Sequence, residues 1–271
     1  MPELPEVETT RRGLEPHLVG QVISGTVVRD ARLRWPVPVA ALAQLRGCAI
    51  RSVARRAKYL LIDCTCGWLI VHLGMSGSLR IIRDDSPVGK HDHFDLVLAS
   101  GTIMRLTDPR RFGAVLWEPG DPDHHPLMAG LAPEPLEDDF DAEWLYARTR
   151  GRTASIKAML MDGRVVTGVG NIYANEALFR AAVRPGMRAG RLNRARCGHL
   201  VAAVKQTLTE AIAAGGSTLR DFYAADGSPG YFQDAYMVYA RGGLPCRNCG
   251  TPIRQLRQAQ RASFYCPRCQ R

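Results

Sequence analysis

Four cysteines near the end of the chain, in Cys246-Arg-Asn-Cys249 and Cys266-Pro-Arg-Cys269, constrain the fold more than any other feature. Two C-x₂-C pairs with sixteen residues between them can set four thiolates tetrahedrally round one Zn²⁺. With sulfur in all four positions there is no open place for water, so the metal is expected to be structural. A disulfide pair is the competing account; it needs an oxidising compartment, and the first residues lack the apolar stretch of a signal peptide. Between the pairs, Thr251 to Tyr265 reads as a hairpin carrying Arg254, Arg257 and Arg261, a rigid way to present arginine to phosphate. Cys48, Cys64, Cys66 and Cys197 lack such spacing and are expected as buried thiols. His91-Asp-His93 and His124-His125 have no matching third ligand, and neither is expected to hold a metal.

The 271 residues suffice for two domains with cores of their own, and a net charge of +10 points to a polyanionic partner. Residues 29 to 58 carry Arg29, Arg32, Arg34, Arg46, Arg51, Arg55, Arg56 and Lys58 against Asp30 alone, and residues 241 to 271 carry seven arginines and no acid. Two such clusters suggest a shared polyanion track, with a solvated face as the plainer reading of each. No run approaches the roughly 18 apolar residues of a membrane span, so no membrane partner is expected and the protein is placed in the cytoplasm.

Leu4, Val7, Leu14 and Leu18 recur at helical spacing, so residues 5 to 18 read as an amphipathic helix stopped by Gly20. From there to residue 117, short apolar runs such as Tyr59-Leu-Leu-Ile, Trp68-Leu-Ile-Val and Phe94-Asp-Leu-Val-Leu alternate with turns, which predicts a β-sandwich or barrel. Between Glu118 and Glu143 five prolines punctuate a stretch with nine acids and no Lys or Arg, and the domain boundary is set there. Downstream, residues 154–162, 172–183 and 195–214 read as helices, the first two joined by Asp162-Gly-Arg-Val-Val-Thr-Gly-Val-Gly170 with room for two turns. The class is α+β, with a β-rich N-terminal domain at 1–133, a helical domain at 134–234 and the cysteine-bearing zinc-finger tail at 235–271.

The chain begins Met-Pro-Glu-Leu-Pro-Glu-Val-Glu. On one reading Pro2 and Pro5 only shape the start of a helix, where proline is tolerated. On the other, removal of Met1 leaves the secondary amine of Pro2 free beside Glu3, a nucleophile able to form an iminium with a sugar carbon.

Taken together, Pro2-Glu-Leu-Pro-Glu-Val-Glu, Arg55-Arg-Ala-Lys-Tyr-Leu-Leu, His72-Leu-Gly-Met-Ser-Gly, Asp108-Pro-Arg-Arg-Phe-Gly, Gly168-Val-Gly-Asn-Ile-Tyr and the cysteine tail closely resemble bacterial formamidopyrimidine-DNA glycosylases, in order along the whole chain. The resemblance implies a bifunctional glycosylase and abasic-site lyase of base excision repair. Such an enzyme removes 8-oxoguanine and formamidopyrimidines from double-stranded DNA and cleaves the strand by β,δ-elimination. It implies a β-sandwich joined to a helix–two-turn–helix and a four-cysteine zinc finger, acting as a monomer in the bacterial cytoplasm with DNA in the cleft between domains. Pro2 would attack C1′ of the damaged nucleotide, with Glu3 as general acid and base. Lys58 would donate a proton in β-elimination and Arg261 would act in δ-elimination; since arginine does not release its proton near neutrality, Arg261 is read as a phosphate anchor.

By the same resemblance, Met75, Arg110 and Phe112 would fill the gap left by the extruded base, Asn171 would grip a phosphate, and His72, His91, Arg152 and Lys157 would touch DNA. Without it, Met75 and Phe112 read as core residues. Ser217 to Gln233 resembles the loop that closes over a flipped base. Two alternatives stand beside this reading: an endonuclease VIII-like glycosylase for oxidised pyrimidines, and a zinc-ribbon DNA-binding protein without chemistry.

Overall fold

The structure, a computed structural model, describes residues 1–83, 86–217, 230–258 and 260–271. The chain forms two compact units, Met1–Ala129 with Ala214–Tyr231, and Gly130–Ala213 with Phe232–Arg271. Most of the loop expected over Ser217 to Gln233, namely 218–229, lies outside the described residues.

In the first unit α1 spans Leu4–Leu18, with Leu4, Val7, Leu14 and Leu18 buried at the expected helical spacing. Full burial of a leucine or valine is worth about 1.5–3 kcal/mol, which is what fixes the inward face of this helix. The helix ends at Val19, and Gly20 takes the left-handed φ of +82° that lets the chain turn into the sheet. Then follow β1 (Ile23–Val28), α2 (Val39–Leu42), β2 (Ile50–Arg56), β3 (Tyr59–Cys64), β4 (Gly67–His72), β5 (Ser78–Arg83), β6 (Asp92–Leu98), β7 (Thr102–Thr107) and β8 (Ala114–Glu118). They form two four-stranded antiparallel sheets ordered β1-β6-β7-β5 and β2-β3-β4-β8. Phe94, Leu96 and Met104 of one sheet share a core with Leu60, Ile62, Leu69 and Val71 of the other and with Val7 and Leu14 of α1, as in a β-sandwich.

Two cysteines depart from expectation. Cys48 and Cys66, read from the sequence as thiols, are joined in a disulfide with their Cα atoms 6.1 Å apart. The sheet register explains it. Ile50 pairs with Cys64, and just past the ladder Thr65 N donates to Ala49 O at 2.9 Å, which leaves Cys48 and Cys66 opposite one another. Spacing along the chain carries no trace of that register. Cys64 and Cys197 are buried thiols, and burial first, with Asp63 adding to it, pushes Cys64 up to about 12.

The second unit holds α3 (Ala142–Thr149), α4 (Ile156–Leu160), α5 (Asn171–Arg180), α6 (Arg194–Ala213) and the hairpin β9 (Arg254–Gln258) and β10 (Arg261–Tyr265). Helix α3 has no counterpart in the sequence reading, because it opens at the end of the acidic, proline-rich stretch. Its start is nevertheless encoded, since the Asp141 side chain accepts from Trp144 N at 2.7 Å as an N-cap. Trp144 Nε1 then donates to Val165 O at 2.8 Å and pins α3 to the connection between α4 and α5. That connection makes two turns, closed by Val165 N to Asp162 O at 2.8 Å and by Val169 N to Thr167 O at 2.8 Å. The unit is therefore a helix–two-turn–helix followed by a zinc-finger hairpin.

Candidate active site and nucleic-acid interface

The start of α1 is anchored through one buried carboxylate. Glu6 Oε2 accepts from Glu3 N at 2.8 Å and Oε1 accepts from Ser217 N at 2.8 Å, so the side chain ties the first turn to the segment at 216–217. Gly216 is there for two reasons: its φ is +77°, and a Cβ would lie 3.0 Å from Glu6 Oε1. Pro2 and Glu3 are both buried against this turn, while Met1 is exposed.

Lys58 follows Ala57, whose φ of +54° makes the tight turn from β2 to β3. Its neighbour Tyr59 pairs across the sheet with His72, the rings 4.8 Å apart. His72 Nδ1 accepts from Gly74 N at 2.9 Å, which assigns the ring proton to Nε2. Burial above all, then the charges of Lys58 and Arg34, push His72 down to about 4. Between the ordinary value of 6.5 and about 4 the unfolded chain takes up a proton that the folded one refuses. Stability from this site is therefore present above 6.5 and lost as pH falls toward 4. In an NMR titration the His72 ring is expected to stay neutral from pH 8 to about 5; a midpoint near 6.5 would contradict the assignment.

Beyond His72, the chain at Gly74–Ser76 meets the loop Asp108–Gly113. Gly74, at φ +63°, lies so close to Phe112 that a Cβ would sit 2.4 Å from its carbonyl carbon. Asp108 is fully buried and holds both strands of the arrangement: Oδ1 accepts from Ser76 Oγ at 2.8 Å and Oδ2 from Gly113 N at 2.8 Å. The result is that Met75 and Phe112 stand out at 39% and 43% exposure, contrary to their reading as core from residue type alone, with the Arg110 guanidinium 4.8 Å from the Phe112 ring. His91 O accepts from Asp108 N at 2.9 Å and so braces the same loop. Asp108→Ala would orphan these donors; the expected loss is about 3 kcal/mol in denaturant unfolding, and a loss below about 0.5 kcal/mol would refute the anchoring role. Asp108 is a functional residue beyond those expected from the sequence, and its signal is an aspartate opening the Pro-Arg-Arg-Phe-Gly turn.

In the second unit Asn171 opens α5, and its Oδ1 is buried without a hydrogen-bond partner. Arg261 is exposed at the start of β10 and, with Lys157 and Gln258, lines a hollow of about 170 Å³. Lys157 is placed differently from a surface contact. It is 2% exposed, and Nζ donates to Ala262 O and Ser263 Oγ, each at 2.7 Å, bracing the hairpin that carries Arg261. Arg152 is exposed between α3 and α4. Glu176, in the buried middle of α5, accepts from the backbone N–H groups of Met237, Val238 and Tyr239 at 2.7–3.0 Å and fixes the chain leading into the finger. Sequence reasoning missed it; the signal was the one acid of α5, flanked by the buried apolar residues Ala174, Ala177 and Leu178.

The four tail cysteines converge, with all ligand atoms within 4.8 Å of one another and Sγ–Sγ separations of 3.4 Å for Cys249–Cys266 and 3.9 Å for Cys246–Cys269. A tetrahedron with Zn–S bonds of about 2.3 Å has edges of about 3.8 Å, so the donor set fits zinc. Burial and the neighbouring sulfurs push Cys269 up to about 12, a cost that a divalent cation removes.

Fold and site thus define a two-unit protein with a β-sandwich, a helix–two-turn–helix and a zinc finger. The profile of the formamidopyrimidine-DNA glycosylase N-terminal domain matches residues 1–115, that of the H2TH domain of the same enzymes matches 131–223, and that of the zinc finger found in FPG and IleRS matches 243–271. Formamidopyrimidine-DNA glycosylases of Thioalkalivibrio sulfidiphilus and Stutzerimonas stutzeri are 57% and 56% identical over 271 residues, covering 100% of both chains. Among solved structures, the complex of a Lactococcus lactis FPG mutant with Fapy-dG-containing DNA has a TM-score of 0.92 at 34% identity, covering 100% of both chains. The MutM (FPG) protein of Thermus thermophilus has a TM-score of 0.88 at 40% identity, covering 99% of this chain and 98% of that one. The chain belongs to the formamidopyrimidine-DNA glycosylase family.

Proposed function

We propose that the protein is a bifunctional DNA glycosylase and abasic-site lyase of base excision repair, acting as a monomer on duplex DNA that carries 8-oxoguanine or a formamidopyrimidine. The observation that carries the reading is the trio Met75, Arg110 and Phe112. Two apolar side chains and a guanidinium stand exposed on loops locked by a buried aspartate, which suits filling a duplex from which a base has been rotated. Once Met1 is removed, the Pro2 amine attacks C1′, the glycosidic bond breaks toward the base, and Glu3 supplies and recovers the proton. The iminium acidifies C2′–H, whose loss expels the 3′ phosphate; the conjugated iminium that results acidifies C4′–H, whose loss expels the 5′ phosphate. Lys58 serves as proton donor, and Arg261 and Asn171 hold phosphate. Neutral His72, with its proton on Nε2, can donate to a phosphate oxygen without changing charge.

Met75→Ala and Phe112→Ala remove exposed atoms, so they are expected to shift stability by about 0.5 kcal/mol or less while slowing excision about ten-fold or more. Equal excision rates would remove the trio from the mechanism. The reading as a whole is tested by borohydride trapping on duplexes bearing 8-oxoguanine or an oxidised pyrimidine, since a Lactococcus lactis relative has been solved with an oxidised-pyrimidine DNA. A covalent adduct formed faster with 8-oxoguanine supports it. Binding without any adduct leaves only a DNA holder, and faster trapping on the pyrimidine moves the chain to an endonuclease VIII-like specificity.

A further inference from the structure

Between Val183 and Gln206 the chain carries Arg184, Arg188, Arg191, Arg194, Arg196 and Lys205 and no acid, a third basic stretch beside those at 29–58 and 241–271. In the second unit it contributes to a surface pocket of about 620 Å³ lined by Arg184, Arg191 and Arg271 together with Met187, Leu256 and Tyr265. Arg184 is held in place by neutral partners: Nε donates to Gln270 O at 3.0 Å, Nη2 to Pro267 O at 3.2 Å, and the guanidinium lies 5.9 Å from the Tyr265 ring. Among the described residues none of these three arginine side chains pairs with an Asp or Glu carboxylate, whereas Arg164, Arg180 and Arg194 nearby in the chain each do. Three arginines line one hollow with no carboxylate side chain among its lining residues, and an anion bound there offsets the repulsion between their charges.

The pocket continues the surface that carries Arg261. Hairpin pairing of Arg261 with Gln258, Ser263 with Leu256 and Tyr265 with Arg254 puts Leu256, Gln258, Arg261 and Tyr265 on one face. Gln258 and Arg261 line the 170 Å³ hollow, Leu256 and Tyr265 the larger pocket, and one two-residue step along β9, about 6.8 Å, separates them. Gly186 lies alongside, where a Cβ would come 3.3 Å from Gln258 Nε2.

We infer that this pocket is a second phosphate-ester site, which takes the backbone of duplex DNA beyond the stretch held at Arg261. The inference rests on the DNA reading proposed for the site. Continuity with the Arg261 face favours the same polymer over an acidic segment of another protein.

The test measures Kd against salt for lesion duplexes of about 12 and about 30 base pairs, using wild type and the double variant Arg191→Ala, Arg271→Ala. Both residues are exposed and lie outside the proposed chemistry. On the long duplex the variant is expected to lose about 0.9 from the log–log salt slope per contact removed, up to about 1.8, with binding about ten-fold weaker at low salt. On the short duplex its binding and its borohydride trapping are expected to match wild type. Identical slopes on the long duplex would overturn the inference, as would Arg191-dependent binding of a free mononucleotide or an acidic peptide with no effect of duplex length. If wild type fails to trap on either duplex, it is the proposed chemistry that fails, and the salt slopes still decide the pocket.

Discussion

Acetylation of the amine exposed by Met1 removal is expected to slow strand cleavage at 8-oxoguanine by about 10³-fold or more while leaving duplex affinity within about two-fold. The reason is electronic. An α-amino group near pKa 8 is neutral in about a tenth of molecules at pH 7, against about one in a few thousand for a lysine, and proline's somewhat more basic amine retains part of that advantage. Once acetylated, its lone pair is delocalised into an amide and cannot attack C1′. Retained Met1 has the same consequence, so intact-mass measurement on active protein is expected to show a chain that starts at Pro2. Pro2→Gly keeps an amine and is expected to fall between wild type and the acetylated form; an acetylated protein that cleaves at the wild-type rate would eliminate Pro2 as nucleophile.

Removing the metal is expected to have the second large effect. In zinc-finger peptides the bound ion contributes about 10–16 kcal/mol of apparent folding free energy near pH 7. Here the finger's own core is a small cluster of Phe179, Val238, Ile253 and Phe264 with the cysteines themselves. Chelation, or Cys266→Ser, is expected to unfold the hairpin, to take Arg261 out of position, and to lower duplex affinity by about 10²-fold or more. The β-sandwich has a separate core and is expected to keep its unfolding transition. Hydrogen exchange resolves the two: amides of β9 and β10 lose protection while those of β3 and β4 keep it. Full protection of the hairpin after verified zinc loss would contradict a structural metal.

Legibility in the sequence followed the range of the interactions involved. Helix α1 was readable because Leu4, Val7, Leu14 and Leu18 repeat locally, and the cysteine cluster because two short pairs define it. The Cys48–Cys66 bond was not, since it arises from a register between β2 and β3 that only the folded sheet specifies. Residue type alone also misplaced Met75 and Phe112, because burial depends on the long-range anchor from Asp108 to Ser76 and Gly113. Helix α3 was masked by five prolines upstream, although its Asp141 cap is local. Glu6 and Glu176 act through backbone N–H groups far along the chain, at Ser217 and at 237–239, which no short motif announces.

One measurement bears on the nucleophile most directly: peptide mapping by mass spectrometry of the adduct formed with 8-oxoguanine duplex and borohydride. The account requires the reduced sugar linkage on the nitrogen of Pro2 in a chain lacking Met1. An adduct carried by Lys58 or another lysine, with the terminal peptide unmodified, would contradict it.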